Sequence, residues 1–292
     1  MYHEMLFKTI IHDNSVVFDV GGHRGFYARI FSEVVKAKGK VFSFEPHPEK
    51  YSDLKTVAES CALKNILPYS LAINDTIGTT VLYYGEESHA DGASTICPEL
   101  ATQERLGAEI RQITVKTTTL DSFCQEIHTL PDFVKIDVEG AESKVITGMA
   151  NLIHQNKPTI LFECGVTTEI PQQFAVLRDL GYVLLVVDIT RFLGETCSWD
   201  NTVDSSNKKL RSKVYSFSDD ILISAEPALT NVLCVHRDQI AKLIPNRLVM
   251  PLEVALLHLG PPKPSLRSQV IKYLPDRLVR VLRSLKSQWR NR

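Results

Sequence analysis

The chain lacks any closely spaced cysteine pair. Its six cysteines, Cys61, Cys97, Cys124, Cys164, Cys197 and Cys234, are scattered, with no C-x-x-C among them. That removes the pattern of a structural zinc site. With several of the thiols in or beside apolar segments, where cysteine behaves as a small hydrophobe, it predicts a reducing compartment and no disulfide framework. No apolar run reaches the roughly 20 residues that a membrane-spanning helix needs. The opening MYHEMLFKTIIHDNS lacks the basic-then-apolar order of a secretion signal, so a cytoplasmic protein is expected. Charge of one sign is also missing overall: 33 Lys and Arg against 34 Asp and Glu leave a net −1, which gives no global pull on nucleic acid. The signatures G-K-[ST], H-E-x-x-H and G-x-S-x-G are absent, which weakens P-loop, metalloprotease and serine-hydrolase readings. There is no internal repeat and no low-complexity tract.

What is present is an ordinary globular composition, 44% hydrophobic over 292 residues. That length holds one large α/β domain with additions, or two smaller domains. Short β-branched and aromatic runs recur at VVFDV (16–20), KVFSF (40–44), ILPYSLAI (66–73), DFVKID (132–137), TILFEC (159–164), YVLLVVDI (182–189) and NVLCVHR (231–237). Between them, residues 26–36, 48–61, 119–127, 142–153 and 171–180 carry helical periodicity. Nearly continuous apolar strands alternating with helices predict a doubly wound, mostly parallel sheet covered on both faces. Two stretches interrupt the rhythm. Residues 74–118 hold two short strands, TTVLYY and QITVKT, around a polar loop long enough to cover a substrate. Residues 190–230 are irregular and polar. After residue 238 the chain turns Leu-rich, Pro-broken and basic.

Strand tips of such a sheet converge on one edge, where ligands bind. The first strand ends in Asp19 and breaks into Gly21, Gly22 and Gly25; the second ends in Glu45, 20 residues beyond Gly25. Glycine lets a backbone turn sharply and lets a ligand approach closely. A carboxylate at the second tip can accept protons from both hydroxyls of a ribose. The spacing is not the G-x-G-x-x-G that seats a pyrophosphate, and Asp19 would repel one. A nucleoside carrying an ammonium and a sulfonium suits this charge better, which favours S-adenosylmethionine over NAD. The plainer reading is a glycine turn joining strand to helix, with Glu45 a solvated acid.

At this point the residues resemble a known family. DVGGHRG, FSFEPHP, LAINDTIG, TTLDSF, VKIDVEGAE and ILFECG follow one another in the order and spacing of the FkbM-type methyltransferases, over about residues 14–240. The resemblance implies a class I, S-adenosylmethionine-dependent enzyme, many of whose relatives methylate hydroxyls of sugars or polyketides. It implies a seven-stranded Rossmann-like sheet whose last strand, NVLCVHR, is antiparallel. It also implies roles by position. Asp19, Gly21 and Gly25 frame the methionine end of the cofactor. Glu45 takes the ribose, with Phe44 and Pro46 beside it. Ala72, Ile73 and Asn74 lie where adenine docks. Asp137, Glu139 and Gly140 lie beside the methyl group. The family usually has Ala-Asn where this chain has Gly22 and His23; a ring nitrogen of His23 is expected to replace the asparagine amide at the methionine end, and it titrates nearer neutral pH.

A hydroxyl nucleophile is weak at its free pKa, so a base within hydrogen-bond reach is expected. Asp137 and Glu139, two residues apart just past a strand, are the leading candidates for base or substrate binder, with Glu142 read as a helix N-terminal stabiliser and Glu163 ending the neighbouring strand. His89, in ESHADGAST, is a candidate base delivered by loop closure, although a lone loop histidine is more often solvated. Ser94 and Thr95 are candidates to bond substrate hydroxyls. No spaced Asp–Asp-Asn set points to a metal.

Residues 263–292 hold nine Lys and Arg against one acid, Asp276, so the rest of the chain carries about −9. Leu274, Leu278, Leu282, Leu285 and Trp289 recur at helical steps among those cations. This basic amphipathic helix is expected to meet an anionic membrane surface or an acidic partner, or else to pack on its own domain with a solvated basic side. The expected organisation is a cofactor-binding domain over 1–240 and a helical basic extension over 241–292. The acceptor is expected to be a small molecule or glycan, and nucleic acid is not expected. The rivals are an NAD-dependent oxidoreductase and a catalytically degenerate scaffold acting through its tail.

Overall fold

The computed structural model describes residues 7–8, 10–85, 93–164, 172–187, 214–216 and 230–239. The loop histidine at 89, most of 190–230 and the whole extension 241–292 lie outside the described residues, and so does the expected boundary at 240.

The apolar runs become β1 (Val16–Val20), β2 (Lys40–Phe44), β3 (Ile66–Tyr69), β7 (Phe133–Ile136), β8 (Thr159–Cys164), β9 (Tyr182–Val187) and β11 (Thr230–His236). With β10 (Val214–Ser216) they form one sheet in the order β10-β9-β11-β8-β7-β1-β2-β3. The pairs from β3 to β8 are parallel. The last strand, β11, is antiparallel and sits between β8 and β9. The sheet is mostly parallel with an antiparallel last strand, as expected, but it holds eight strands where seven were expected: β10 extends the edge by pairing antiparallel with β9. Pro68 lies in β3, at the other edge, where its missing N–H costs no ladder bond.

One predicted strand divides. In ILPYSLAI only Ile66–Tyr69 stays in the main sheet; β4 (Ala72–Ile73) pairs instead with β6 (Ile110–Thr118). β6 in turn pairs antiparallel along the whole of β5 (Gly78–Gly85). The two short strands expected in 74–118 are thus a long hairpin making a second, three-stranded sheet.

The helices are α1 (Phe26–Val35), α2 (Pro48–Ser60), α3 (Gln103–Leu106), α4 (Leu120–Ile127), α5 (Glu142–Thr147), α6 (Ala150–Asn156) and α7 (Gln172–Asp179). The single helix expected over 142–153 breaks at Gly148. A Cβ there would stand 2.1 Å from the Asn74 carbonyl oxygen, so the chain narrows to let the two backbones meet, and the helix stops.

Alternation along the strands sorts the core into two layers. Phe18, Val20, Phe42, Phe44, Val134 and Ile136 face α4–α6. Val17, Val41, Phe133 and Leu161 face Phe7, α1 and α2. With both faces covered, the place left for a ligand is the edge where β1, β2 and β7 end. No helix among the described residues is long and apolar enough to cross a membrane.

Candidate functional site

A cavity of about 440 Å³ opens at those strand ends. It is of the size that takes a small ligand. Of the residues expected there from sequence, Gly21, Gly22, His23, Phe44, Glu45, Pro46, Ala72, Ile73, Asp137 and Glu139 line it. Asp19, Gly25 and Asn74 do not.

The glycine turn forms for local reasons. Gly21 has φ 82°, and a Cβ on it would lie 1.8 Å from the Asp137 carbonyl oxygen. The β1 and β7 tips can therefore be this close only with glycine at 21. Gly22 is needed for space: Ser43 Oγ fills the position of its missing Cβ and donates to Asp19 Oδ2 at 2.8 Å. Serine and glycine together thus stand where the resemblance places an alanine. Gly25 caps α1 and packs on Leu54 and Val57 of α2, behind the cavity wall.

Glu45 is buried, and its carboxylate is held by two backbone amides. His23 N donates to Oε2 at 2.9 Å and His47 N to Oε1 at 2.8 Å. Each oxygen keeps a lone pair for a ligand hydroxyl. Burial pushes the Glu45 carboxyl above the usual range, against those two amides and the charge of Lys50. His23 acts here through its backbone, while its ring lines the cavity. Phe44, Leu71, Ala72 and Ile73 give an apolar wall beside Glu45. Asn74 is buried just beyond that wall, and its Oδ1 has no hydrogen-bond partner among the described residues.

Asp19, expected to frame the methionine end of the cofactor, lies behind the glycine turn and not on the cavity wall. Asp19 is fully buried beneath Gly22, and the cation it faces belongs to the protein. Lys135 Nζ lies 3.8 Å from Asp19 Oδ1, an ion-pair distance too long for a hydrogen bond, and donates to Asp137 Oδ2 at 2.9 Å. Nζ also sits 4.6 Å from the centre of the Tyr27 ring. Burial works to lower the Lys135 ammonium, but Asp137 and Asp19 outweigh it and hold the group above the ordinary lysine range. Burial raises the Asp19 carboxyl, with Lys135 and Ser43 opposing. Sequence reasoning missed Lys135. Its signal was a lysine at the centre of an apolar strand, in VKID, where an unpaired charge is not tolerated.

Glu139 also lines the cavity. It has φ 52°, its carbonyl accepts from Thr95 Oγ1 at 2.7 Å, and its Oε2 accepts from Arg105 at 2.6 Å. Burial raises the Glu139 carboxyl and the charge of Asp137 adds to this; Arg105 opposes both. Glu142 Oε1 accepts from Gly140 N at 3.1 Å, in the turn that leads into α5. Ser94 accepts from Lys50 at 2.7 Å on the cavity wall, so it is engaged by a protein cation. The side chain of Glu163, like the whole of His89, falls outside what is described.

These residues fit S-adenosylmethionine. A carboxylate with lone pairs to spare suits a ribose, an apolar wall beside it suits a purine, and the glycine turn leaves room for the amino-acid end. The trio of Asp19, Lys135 and Asp137 has two acids to one base, which suits a cationic cofactor. An antiparallel strand within the sheet also separates this order from the 3-2-1-4-5-6 sheet of dinucleotide folds, which argues against the NAD reading.

The chain is similar to several known proteins. The hexuronic acid methyltransferase AglP of Haloferax volcanii is 28% identical over 142 residues, 48% of this chain and 52% of that protein. The match thus spans about half the length of that relative. The methyltransferase sdnD of Sordaria araneosa is 25% identical over 204 residues, 61% of this chain and 75% of that one. A crystal structure of Aeropyrum pernix fibrillarin with natively bound S-adenosyl-L-methionine aligns with TM-score 0.42 at 14% identity, covering 80% of this chain and 73% of that chain. The profile described as the methyltransferase FkbM domain matches residues 19–184, more than half of the sequence; the chain belongs to the FkbM methyltransferase family, and its cofactor is S-adenosylmethionine.

Proposed function

We propose that the protein transfers a methyl group from S-adenosylmethionine to a hydroxyl oxygen of a sugar or glycan. The observation that carries this reading is that one cavity joins a ribose-competent carboxylate, Glu45, to a second pair of acids, Asp137 and Glu139. When bound, the cofactor supplies an electrophilic methyl group, so the protein's task is to position groups, exclude water and take up a proton. Glu45 and the glycine turn hold the nucleoside end. Asp137, fixed by Lys135, shapes the floor. Glu139 stands where it can accept a proton from a hydroxyl. The kinship with a hexuronic acid methyltransferase supports a sugar acceptor.

The test is transfer of tritium from labelled cofactor into glycan fractions, with mass spectrometry of the product. A methyl ether on a sugar hydroxyl is expected. Titration showing binding of NADH and none of S-adenosylhomocysteine would reject the reading. A second expectation concerns place: the basic extension 263–292 holds the enzyme at anionic surfaces. Deleting it should leave cofactor binding intact and reduce sedimentation with phosphatidylserine vesicles; equal sedimentation of both forms rejects that role.

A further inference from the structure

Both acids at the β7 tip are paired, but the two pairs differ in kind. Asp137 is tied to Lys135, whose side chain is 4% exposed and lodged between Asp137 and Asp19. Glu139 is tied to Arg105, and these side chains are 27% and 35% exposed. Arg105 rides on α3, a helix of four residues in the hairpin insertion. Glu139 follows the β7 tip directly, and its carbonyl accepts from the Thr95 hydroxyl, separately from the side-chain pair. The lysine pair is thus built into the floor, whereas the arginine pair can open. A guanidinium binds an incoming carboxylate as well as the one it holds, in a two-point fork. Until the pair opens, Glu139 is a poor proton acceptor.

We infer that the Arg105–Glu139 pair is an exchange lock that selects acidic sugars: a carboxylate on the acceptor takes Arg105, and the released Glu139 receives the proton of a nearby hydroxyl. This rests on the reading of the protein as a sugar methyltransferase. In the reaction, the hydroxyl oxygen forms its bond to the methyl carbon as the carbon–sulfur bond breaks, and the electron pair stays on sulfur. The hydroxyl proton ends on Glu139, and the acceptor's carboxylate emerges unchanged.

The test uses the full chain saturated with S-adenosylhomocysteine, titrated calorimetrically with methyl glucuronoside and methyl glucoside. Wild type should prefer the glucuronoside by about tenfold or more. Arg105→Gln should lose that preference, and Arg105→Lys, which keeps charge without the fork, should fall between. Glu139→Gln should bind the glucuronoside more tightly than wild type, because Arg105 no longer has to be taken from a carboxylate. A merely structural ion pair would not produce this gain. No preference in wild type, no binding of either sugar, a preference kept in Arg105→Gln, or weaker glucuronoside binding in Glu139→Gln each overturns the lock. So does a base-labile methyl ester as the product. Loss of S-adenosylhomocysteine binding by wild type would instead sink the methyltransferase reading itself.

Discussion

The surroundings of Glu45 and of Glu139 are built differently. Glu45 is held by backbone, the amides of His23 and His47, beside a glycine turn packed on the Asp137 carbonyl. The charges of Glu45 and Asp19 are buried there. Glu139 is held by side chains of the hairpin insertion, Arg105 and Thr95. The charges of the Arg105–Glu139 pair are part-exposed. The first region belongs to the fold, so damage there should show in stability. The second rests on the fold, so damage there should show mainly in turnover.

Lys135→Met breaks that contrast hardest. It strands two carboxylates at the strand tips, one of them fully buried, and should cost roughly 3–5 kcal/mol of unfolding free energy in urea at pH 7. A loss under about 1 kcal/mol would mean that the trio is not coupled as drawn. Glu139→Gln sharpens the other side. Stability should hold within about 1 kcal/mol, since the pair is part-exposed, while turnover falls roughly 10²- to 10⁴-fold. Unaltered turnover would take the proton-accepting role from Glu139.

Glu45→Ala lies between the two. It removes the acceptor of two buried amides and of the ribose, and should weaken S-adenosylhomocysteine by roughly 1.5–3 kcal/mol. An unchanged dissociation constant would refute the ribose assignment.

Acidification separates the same two properties. Because the Glu45 carboxyl is raised in the fold, the folded chain holds that proton more tightly than the unfolded one. The group's cost to folding is therefore complete above the raised value and disappears as pH falls toward the ordinary one. Ribose binding moves oppositely, since the protonated acid has lost acceptor capacity. The thermal upshift given by S-adenosylhomocysteine should shrink as pH falls through the raised Glu45 value, and the shrinkage should be absent in Glu45→Ala. The smallest effect is expected far from both regions. Thr119 caps α4 by accepting from Ser122 N at 3.1 Å, and Thr119→Ala should cost about 1 kcal/mol with activity intact.

The same contrast decides what could be read from the sequence. Strands buried on both faces announce themselves as apolar runs, and β1, β2 and β8 fall within the residues so assigned. The surroundings of Glu45 were legible because glycines and acids at strand tips are local signals. What escaped was non-local. The transfer of Ala72–Ile73 to a second sheet depends on β6, some forty residues on. The break at Gly148 depends on the Asn74 backbone. The inward retreat of Asp19 depends on Lys135, and the masking of Glu139 on Arg105. None of these partners is near its counterpart in the chain, and periodicity carries no record of them.

The antiparallel β11 has a consequence for how the molecule is made. It fills an interior slot, pairing Val232 with Phe162 on one side and with Val186 on the other. During synthesis β8 and β9 must therefore wait, each with an open ladder edge, until the chain has grown past residue 236. Bare edges of this kind invite pairing with a neighbouring chain. A nascent chain stalled before that point should need a chaperone, although every residue lining the cavity has already emerged.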